Sequence, residues 1–341
     1  MFTALFSLMV FVTDCDNTLV HYDSSETHGG IVHTQKVSSA SEGELYLDGG
    51  LISMPASSGS GKISSVSAMT LAKLDEIAAE GVEIICATGM RASTMLQREK
   101  FFPSIKYWAC ENGGRIFHRE KIGEPPVEIA DYSNAHDSNI ASLRDLKTFT
   151  ETLTSAGYEV DDKGYLTMIR VKGANLQNII PQIPDTLRHT FNLGYLDIQC
   201  PGYSKLSAAR WIIANRLKKA SLFGPLPAYP SGHPSTADEL SAEHVATAID
   251  SEAEDDFLFM GDDDNDIDIA AAADTSFITK PCSGAMQNFI DNYRSGEDMS
   301  RVAKVKTIHE APFLRHRGTE SLLAGVLDIV KTRKSMIAQE L

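Results

Sequence analysis

The sequence is short of basic charge, of paired cysteines and of long apolar runs. Lys and Arg number 31 against 46 Asp and Glu, a net charge of -15. A non-specific nucleic-acid surface needs clustered Lys and Arg and is not expected, although a local basic pocket stays open. Five cysteines (Cys15, Cys86, Cys110, Cys200 and Cys282) are scattered singly, with no CxxC pair and an odd total. That favours free thiols in a reducing compartment over a disulfide framework or a zinc site. No stretch approaches the ~18 consecutive apolar residues of a membrane helix. The opening MFTALFSLMVFVTD has neither a basic n-region nor a small-residue cleavage site, so a soluble cytoplasmic chain is expected. The ten histidines form no HExxH or similar metal-ligand pair.

What is present is enough for a substantial core. The 341 residues are 43% hydrophobic, which fits one large or two medium globular domains. Residues 8–13 read as a fully buried strand, apolar without alternation. The polar, Ser- and Gly-rich segment from His21 to Gly61 contains ELYLDGGLISM, whose Asp48-Gly49-Gly50 turn predicts a hairpin. A helix follows, with Ser64 or Ser65 as N-cap and Gly81 just past its end. VEIICATG is a second buried strand, a helix begins near Ala92, and KYWAC and GRIFH are strands around Gly113-Gly114. This alternation predicts an α/β fold with a parallel sheet.

The pattern changes after Pro125-Pro126. A helix over about 141–155, strands YEV, LTMIRVK and YLDIQ, and a second helix ending before His189 form a small α+β unit. The expected division is a core of residues 1–121 and 199–341, with 122–198 inserted. Lys205 opens another helix, and a proline-rich linker spans 224–240.

Three strand ends carry the chemistry, since ligands of α/β sheets bind at the carboxyl ends of the strands. VFVT runs into Asp14-Cys15-Asp16-Asn17-Thr18, EIICA into Thr88-Gly89, and FLFM into Gly261-Asp262-Asp263-Asp264-Asn265-Asp266. Lys205 adds a cation at a helix start. Each signal is weak alone: a lone DxD is usually a solvated turn, and a lone Lys a surface residue. In this order, each cluster closing a buried strand, they are far more specific. Acids gathered at one sheet edge repel, and a hard cation such as Mg2+ offsets that repulsion.

The series DxDxT, a Thr ending a second strand, Lys, then GDxxND resembles the haloacid dehalogenase superfamily of phosphohydrolases, over about residues 8–120 and 199–290. The insert between the second motif and the lysine is similar to the cap of the subgroup containing sucrose-phosphate phosphatase and the Cof-type sugar phosphatases. The resemblance implies a Rossmann-like core with an inserted α+β cap that sets specificity. It also implies a small phosphorylated metabolite, such as a sugar phosphate, as substrate. Asp14 is then the nucleophile and Asp16 the general acid/base, acting through an aspartyl phosphate. Mg2+ is implied on the Asp14 and Asp262 carboxylates and the Asp16 main-chain carbonyl. Thr88, Gly89 and Lys205 would hold the phosphoryl group, with Asn265 and Asn112 as further contacts and Thr18 and Asp266 in support.

The chain departs from the pattern at Met90-Arg91, where the family often has Arg directly after Thr-Gly. The long segment 21–61 is expected to be a surface insertion, with a lid over the site as the alternative. Ala56–Ser64 echoes a P-loop but lacks its first Gly, and DDDNDIDIA lacks the Gly and Glu of an EF-hand loop. Arg170 and Lys172 lie two apart on one strand and face the same way. An exposed charged sheet face is expected of them, with contact to a phosphorylated sugar as the alternative. Glu111-Asn112-Gly113-Gly114 reads equally as turn chemistry or as a contact for substrate hydroxyls. A phosphomutase built from the same residues and a non-catalytic sugar-phosphate-binding module remain rival readings.

Overall fold

The computed structural model describes residues 9–22, 35–37, 45–48, 50–54, 63–135, 140–218, 257–295 and 307–340. Eight strands form the main sheet. From one edge they are Val127–Glu128, Arg115–His118, Tyr107–Cys110, Glu83–Ala87, Val10–Thr13, Phe257–Gly261, Thr275–Ile278 and Thr307–Glu310. The last six run parallel, and Arg115–His118 pairs antiparallel with both Tyr107–Cys110 and Val127–Glu128. Val10–Thr13 is central, and all four of its residues are buried. Phe11 packs on one face with the helices Ala68–Ala79 and Arg315–Glu340. Val10 and Val12 pack on the other with Lys205–Ile212, Ile267–Ala272 and Gly284–Ser295. Covering both faces removes the hydrophobic-out alternation and leaves the continuous apolar runs seen in the sequence.

A second sheet is built from Glu159–Asp161, Met168–Lys172, Tyr195–Gln199 and Arg188–Asn192, all antiparallel. Ile169, Val171, Leu196 and Ile198 pack with Leu146, Phe149 and Leu153 of the helix Ile140–Ser155. This is a core of its own. By the two-residue side-chain period, Arg170 and Asp197 are left on the other face.

Three local expectations are corrected. Ser64–Ser67 is a buried strand, and Ser67 rather than Ser64 or Ser65 caps the helix, its Oγ accepting from Thr70 N at 2.9 Å. Its hydroxyls are satisfied by distant partners: Ser64 by Arg98, Ser65 by His316, and Ser67 by Glu320. Buried polar groups with such partners lose their usual cost. The expected second helix ending before His189 does not form. Only two 3-10 turns, Leu176–Asn178 and Ile180–Gln182, lie there, because Pro181 and Pro184 deny further helical hydrogen bonds. Arg188–Asn192 is instead a strand, joined to Tyr195–Gln199 through Leu193-Gly194, both at positive φ.

The expected hairpin is present, with Asp48 opposite Leu51. It belongs to a five-stranded antiparallel sheet in the order His21–Tyr22, Ser64–Ser67, Leu51–Met54, Leu45–Asp48, Gln35–Val37. The linker 224–240 and residues 56–62 of the P-loop-like stretch lie outside the described residues.

Candidate active site

Register brings the three strand ends together. Thr13 lies opposite both Met260 and Cys86, so Asp14, Gly261-Asp262 and Ala87-Thr88 emerge side by side at one edge. Asp14 N–H donates to Met260 O at 2.8 Å. Lys205 is set as the first residue of its helix by a reciprocal Ser204–Ser207 cap. Its Nζ donates to Asp266 Oδ1 at 2.7 Å and Asn265 Oδ1 at 3.2 Å. It also lies 3.0 Å from Asp14 Oδ1 as an ion pair, and among the described residues that buried oxygen has no further partner.

Burial pushes the Asp14 carboxyl well up; Lys205 opposes this, and Asp266 and Asp16 reinforce it. Asp262 is raised by burial and by Asp14, Asp266 and Asp263. Burial alone would lower the Lys205 ammonium, but Asp14 and Asp266 prevail and hold it charged.

The acids at this edge fit a bound cation. Oxygens of Asp14, Asp262 and Asp266 lie within 4.8 Å of one another. Asp266 is already committed, one oxygen to Lys205 and the other to the N–H groups of Asp262 and Asp263. Among the described residues the Asp262 carboxylate accepts only from Thr18 Oγ1, at 2.9 Å on Oδ1. Two buried, mutually repelling carboxylates with unused acceptor capacity are what a hard oxygen-seeking ion requires.

Asp16 turns elsewhere. Arg98 Nη1 donates to its Oδ1 at 2.7 Å, and Tyr22 Oη donates to the same oxygen at 2.6 Å. Burial would raise its pKa, but Arg98 and the two hydrogen bonds prevail and lower it. Arg98, on the helix Ala92–Arg98, is itself buried and also donates to Ser64. Tyr22 comes from the segment 21–61 expected to be a surface insertion, so the start of that segment reaches the site. Nothing in the local sequence marked Arg98 or Tyr22.

Asn112 and Asn265 are both engaged by protein groups. Asn265 Nδ2 donates to Asn112 Oδ1 at 2.8 Å, and Asn112 Nδ2 donates to Asp197 Oδ2 at 3.2 Å. Asp197 is fully buried and also takes both Arg170 Nε (2.6 Å) and Nη2 (2.7 Å), together with Asn192 (3.1 Å). A continuous polar chain thus runs from Lys205 to the four-stranded sheet, and Arg170 is not on an exposed charged face. Glu111 accepts from Leu166 N, Thr167 N and Thr167 Oγ1, tying the same two units. Glu111 and Asn112 both sit at positive φ, and Gly113 follows at +88°, where a Cβ would strike Ser204 O.

Thr88 is buried, and its Oγ1 accepts from Met90 N at 3.2 Å. Gly89 meets the four-stranded sheet: a Cβ there would fall against Asn192 Nδ2 and 2.8 Å from Asn112 Oδ1. Gly89→Ala is therefore expected to part the two units locally and raise KM by roughly tenfold, with a destabilisation of ~1–3 kcal/mol. Steady-state kinetics beside thermal melts check this. Cys15 packs its side chain into the core, while its carbonyl accepts from Thr18, Leu19 and Val20. The thiol takes no part in the site.

No family model matches the chain, and no curated protein matches it. Solved structures do. A protein of Thermoplasma acidophilum is 9% identical with a TM-score of 0.50, over 93% of this chain and 97% of that one. A sugar phosphatase of haloacid dehalogenase subclass IIB is 12% identical with a TM-score of 0.49, over 95% and 98%. A haloacid dehalogenase superfamily phosphatase from Bacteroides thetaiotaomicron is 12% identical with a TM-score of 0.47, over 95% and 97%. At these identities the likeness is one of fold alone, a mixed α/β core with a largely parallel central sheet. No described helix is long and apolar enough to cross a membrane.

Proposed function

We propose that this chain is a Mg2+-dependent phosphohydrolase of the haloacid dehalogenase type, acting on a small phosphate monoester such as a sugar phosphate. Residues 122–198 serve as its cap, and 1–121 with 199–341 as its catalytic core. One observation carries the reading. Asp14 presents a buried carboxylate oxygen whose one partner among the described residues is the Lys205 ammonium, close to Asp262, while Asp16, two residues on, is held by a different cation.

The residues divide the work. An Asp14 oxygen attacks phosphorus and forms an aspartyl phosphate as the ester P–O bond breaks. Asp16 gives a proton to the departing oxygen, then takes one from the water that cleaves the acyl phosphate. Arg98 and Tyr22 favour the Asp16 carboxylate; the charge of an incoming phosphate pushes the other way, towards the protonated form needed first. Lys205 and Thr88 hold the phosphoryl oxygens, and Asp266, Asn265 and Asn112 fix Lys205 and the sheet beyond it. Asp14, Asp262 and the Asp16 main-chain carbonyl would hold Mg2+, which when bound would supply charge neutralisation at the phosphoryl group.

The test is phosphate release over phosphorylated sugars, polyols and glycerate derivatives, with Mg2+ and with chelator. Mg2+-dependent release of free phosphate is expected. An isomerised hexose phosphate in its place would mark a mutase, and no turnover of any ester, including p-nitrophenyl phosphate, would sink the reading.

A further inference from the structure

A cavity of about 360 Å³ lies between the core and the four-stranded sheet. Asp16 lines it, whereas Asp14, Thr88, Lys205 and Asp262 do not. On the phosphohydrolase reading, on which this inference rests, the proton donor marks where the leaving group sits. The cavity therefore takes the leaving group, not the transferred phosphoryl.

Its wall is cationic. Arg91, Arg98, Arg170, Lys172 and Arg315 line it, against the two carboxylates Asp16 and Asp161. Asp197, behind Arg170, adds a third acid. His21, also on the wall, is held down to about 3 by burial beside His316 and Arg315, and is neutral. A positive excess in a chain of net charge -15 is a local inversion. Neutral donors and acceptors suffice for sugar hydroxyls, whereas the desolvation cost of this many cations is offset in part by their paired acids and further by an anionic ligand.

Two of the cations converge. Arg91 Nη2 lies 2.7 Å and Lys172 Nζ 3.0 Å from the same Asp161 oxygen, and the Arg91 guanidinium stacks 4.7 Å from the Tyr165 ring centre. Arg91 comes from the core, directly before the helix Ala92–Arg98, and Lys172 from the four-stranded sheet. Arg170 lies two residues from Lys172 on the same strand face. We propose that the substrate carries a second anionic group on its leaving-group side, a carboxylate or a second phosphate, and that Arg91, Lys172 and Arg170 form its subsite.

The test has a kinetic and a binding arm. Wild type is assayed on a hexose 6-phosphate, a hexose 1,6-bisphosphate, glycerol phosphate and 3-phosphoglycerate. The esters with a second anion are expected to show kcat/KM higher by roughly tenfold or more, the range of charge-assisted hydrogen bonds. Preference for the bisphosphate alone assigns a phosphate subsite, and for phosphoglycerate alone a carboxylate one. Lys172→Met should erase most of that preference and Lys172→Arg restore it. In the binding arm, calorimetry on Asp14→Asn compares the same pairs without turnover, with and without Lys172→Met. Equal affinity for singly and doubly anionic ligands, or a preference indifferent to Lys172, overturns the subsite. Absence of turnover with a Lys172-dependent preference in binding retains the subsite and overturns only the hydrolase.

Discussion

Asp14→Asn is expected to lower phosphate release by at least ~10⁴-fold, the order lost when an enzyme's nucleophile is removed, while the chain stays folded. The two readouts separate chemistry from stability. Burial, reinforced by Asp266 and Asp16, raises the folded pKa of Asp14 above the ordinary 3.8 despite Lys205. A carboxyl whose folded pKa is raised is stabilising only while protonated. That contribution is present below the unfolded value and is lost as pH rises through the folded one. At neutral pH burying Asp14 therefore costs stability, and an amide of the same shape relieves that cost. Without added metal the variant should melt at or above the wild-type temperature near pH 7, and the difference should shrink towards pH 3.5. Mg2+ should raise the melting temperature of wild type more than that of the variant. Calorimetric melts across pH, with and without Mg2+, check this. A variant that releases phosphate at near wild-type rates would remove Asp14 from the mechanism.

Much of this site was legible because its parts are joined covalently to easily read strands. VFVT, EIICA and FLFMG are apolar runs that only a sheet covered on both faces can accept, and the residue after each must emerge at the ligand-bearing edge. Asp14, Thr88 and Asp262 need no further information. Lys205 was placed by its helix start. The groups that were not legible act across long sequence separations. Arg98 and Asp16 are 82 residues apart, and Asn112 and Asp197 are 85 apart. No periodicity ties a helix-end arginine to a particular carboxylate.

The misread segments share a physical cause. Ser64–Ser67 looks like a helix cap and loop by composition, yet it is buried because Arg98, His316 and Glu320 satisfy its hydroxyls. Arg188–Asn192 is polar and turns through Leu193, a residue type that seldom takes positive φ. There the Leu193 N–H donates to Asp263 Oδ2 at 2.6 Å, so a contact with the acidic sheet edge supports a turn that local propensity would not select. Tertiary partners overrode local preference in both places, and both lie next to the site.

Asp16→Asn is expected to expose the two roles of that residue by the leaving group chosen. With an alkyl phosphate the departing alkoxide needs a proton, and removing its donor should cost ~10²–10⁴ in kcat. With p-nitrophenyl phosphate the phenolate leaves unaided, so the first step should proceed almost as in wild type. The second step still lacks its base, because the amide cannot take a proton from water. The variant should then release about one nitrophenolate per chain in a burst and turn over slowly afterwards, with phosphate held on Asp14. Rapid-mixing absorbance, with acid-quenched protein examined for an aspartyl phosphate by mass, reads both steps. The amide keeps a carbonyl oxygen for Arg98 and Tyr22, which now meet Asp16 Oδ1 at 2.7 and 2.6 Å. The destabilisation should accordingly stay below the ~3–5 kcal/mol of breaking a buried ion pair outright. Equal losses for alkyl and nitrophenyl esters, with no burst, would show that Asp16 moves no proton and only positions Arg98.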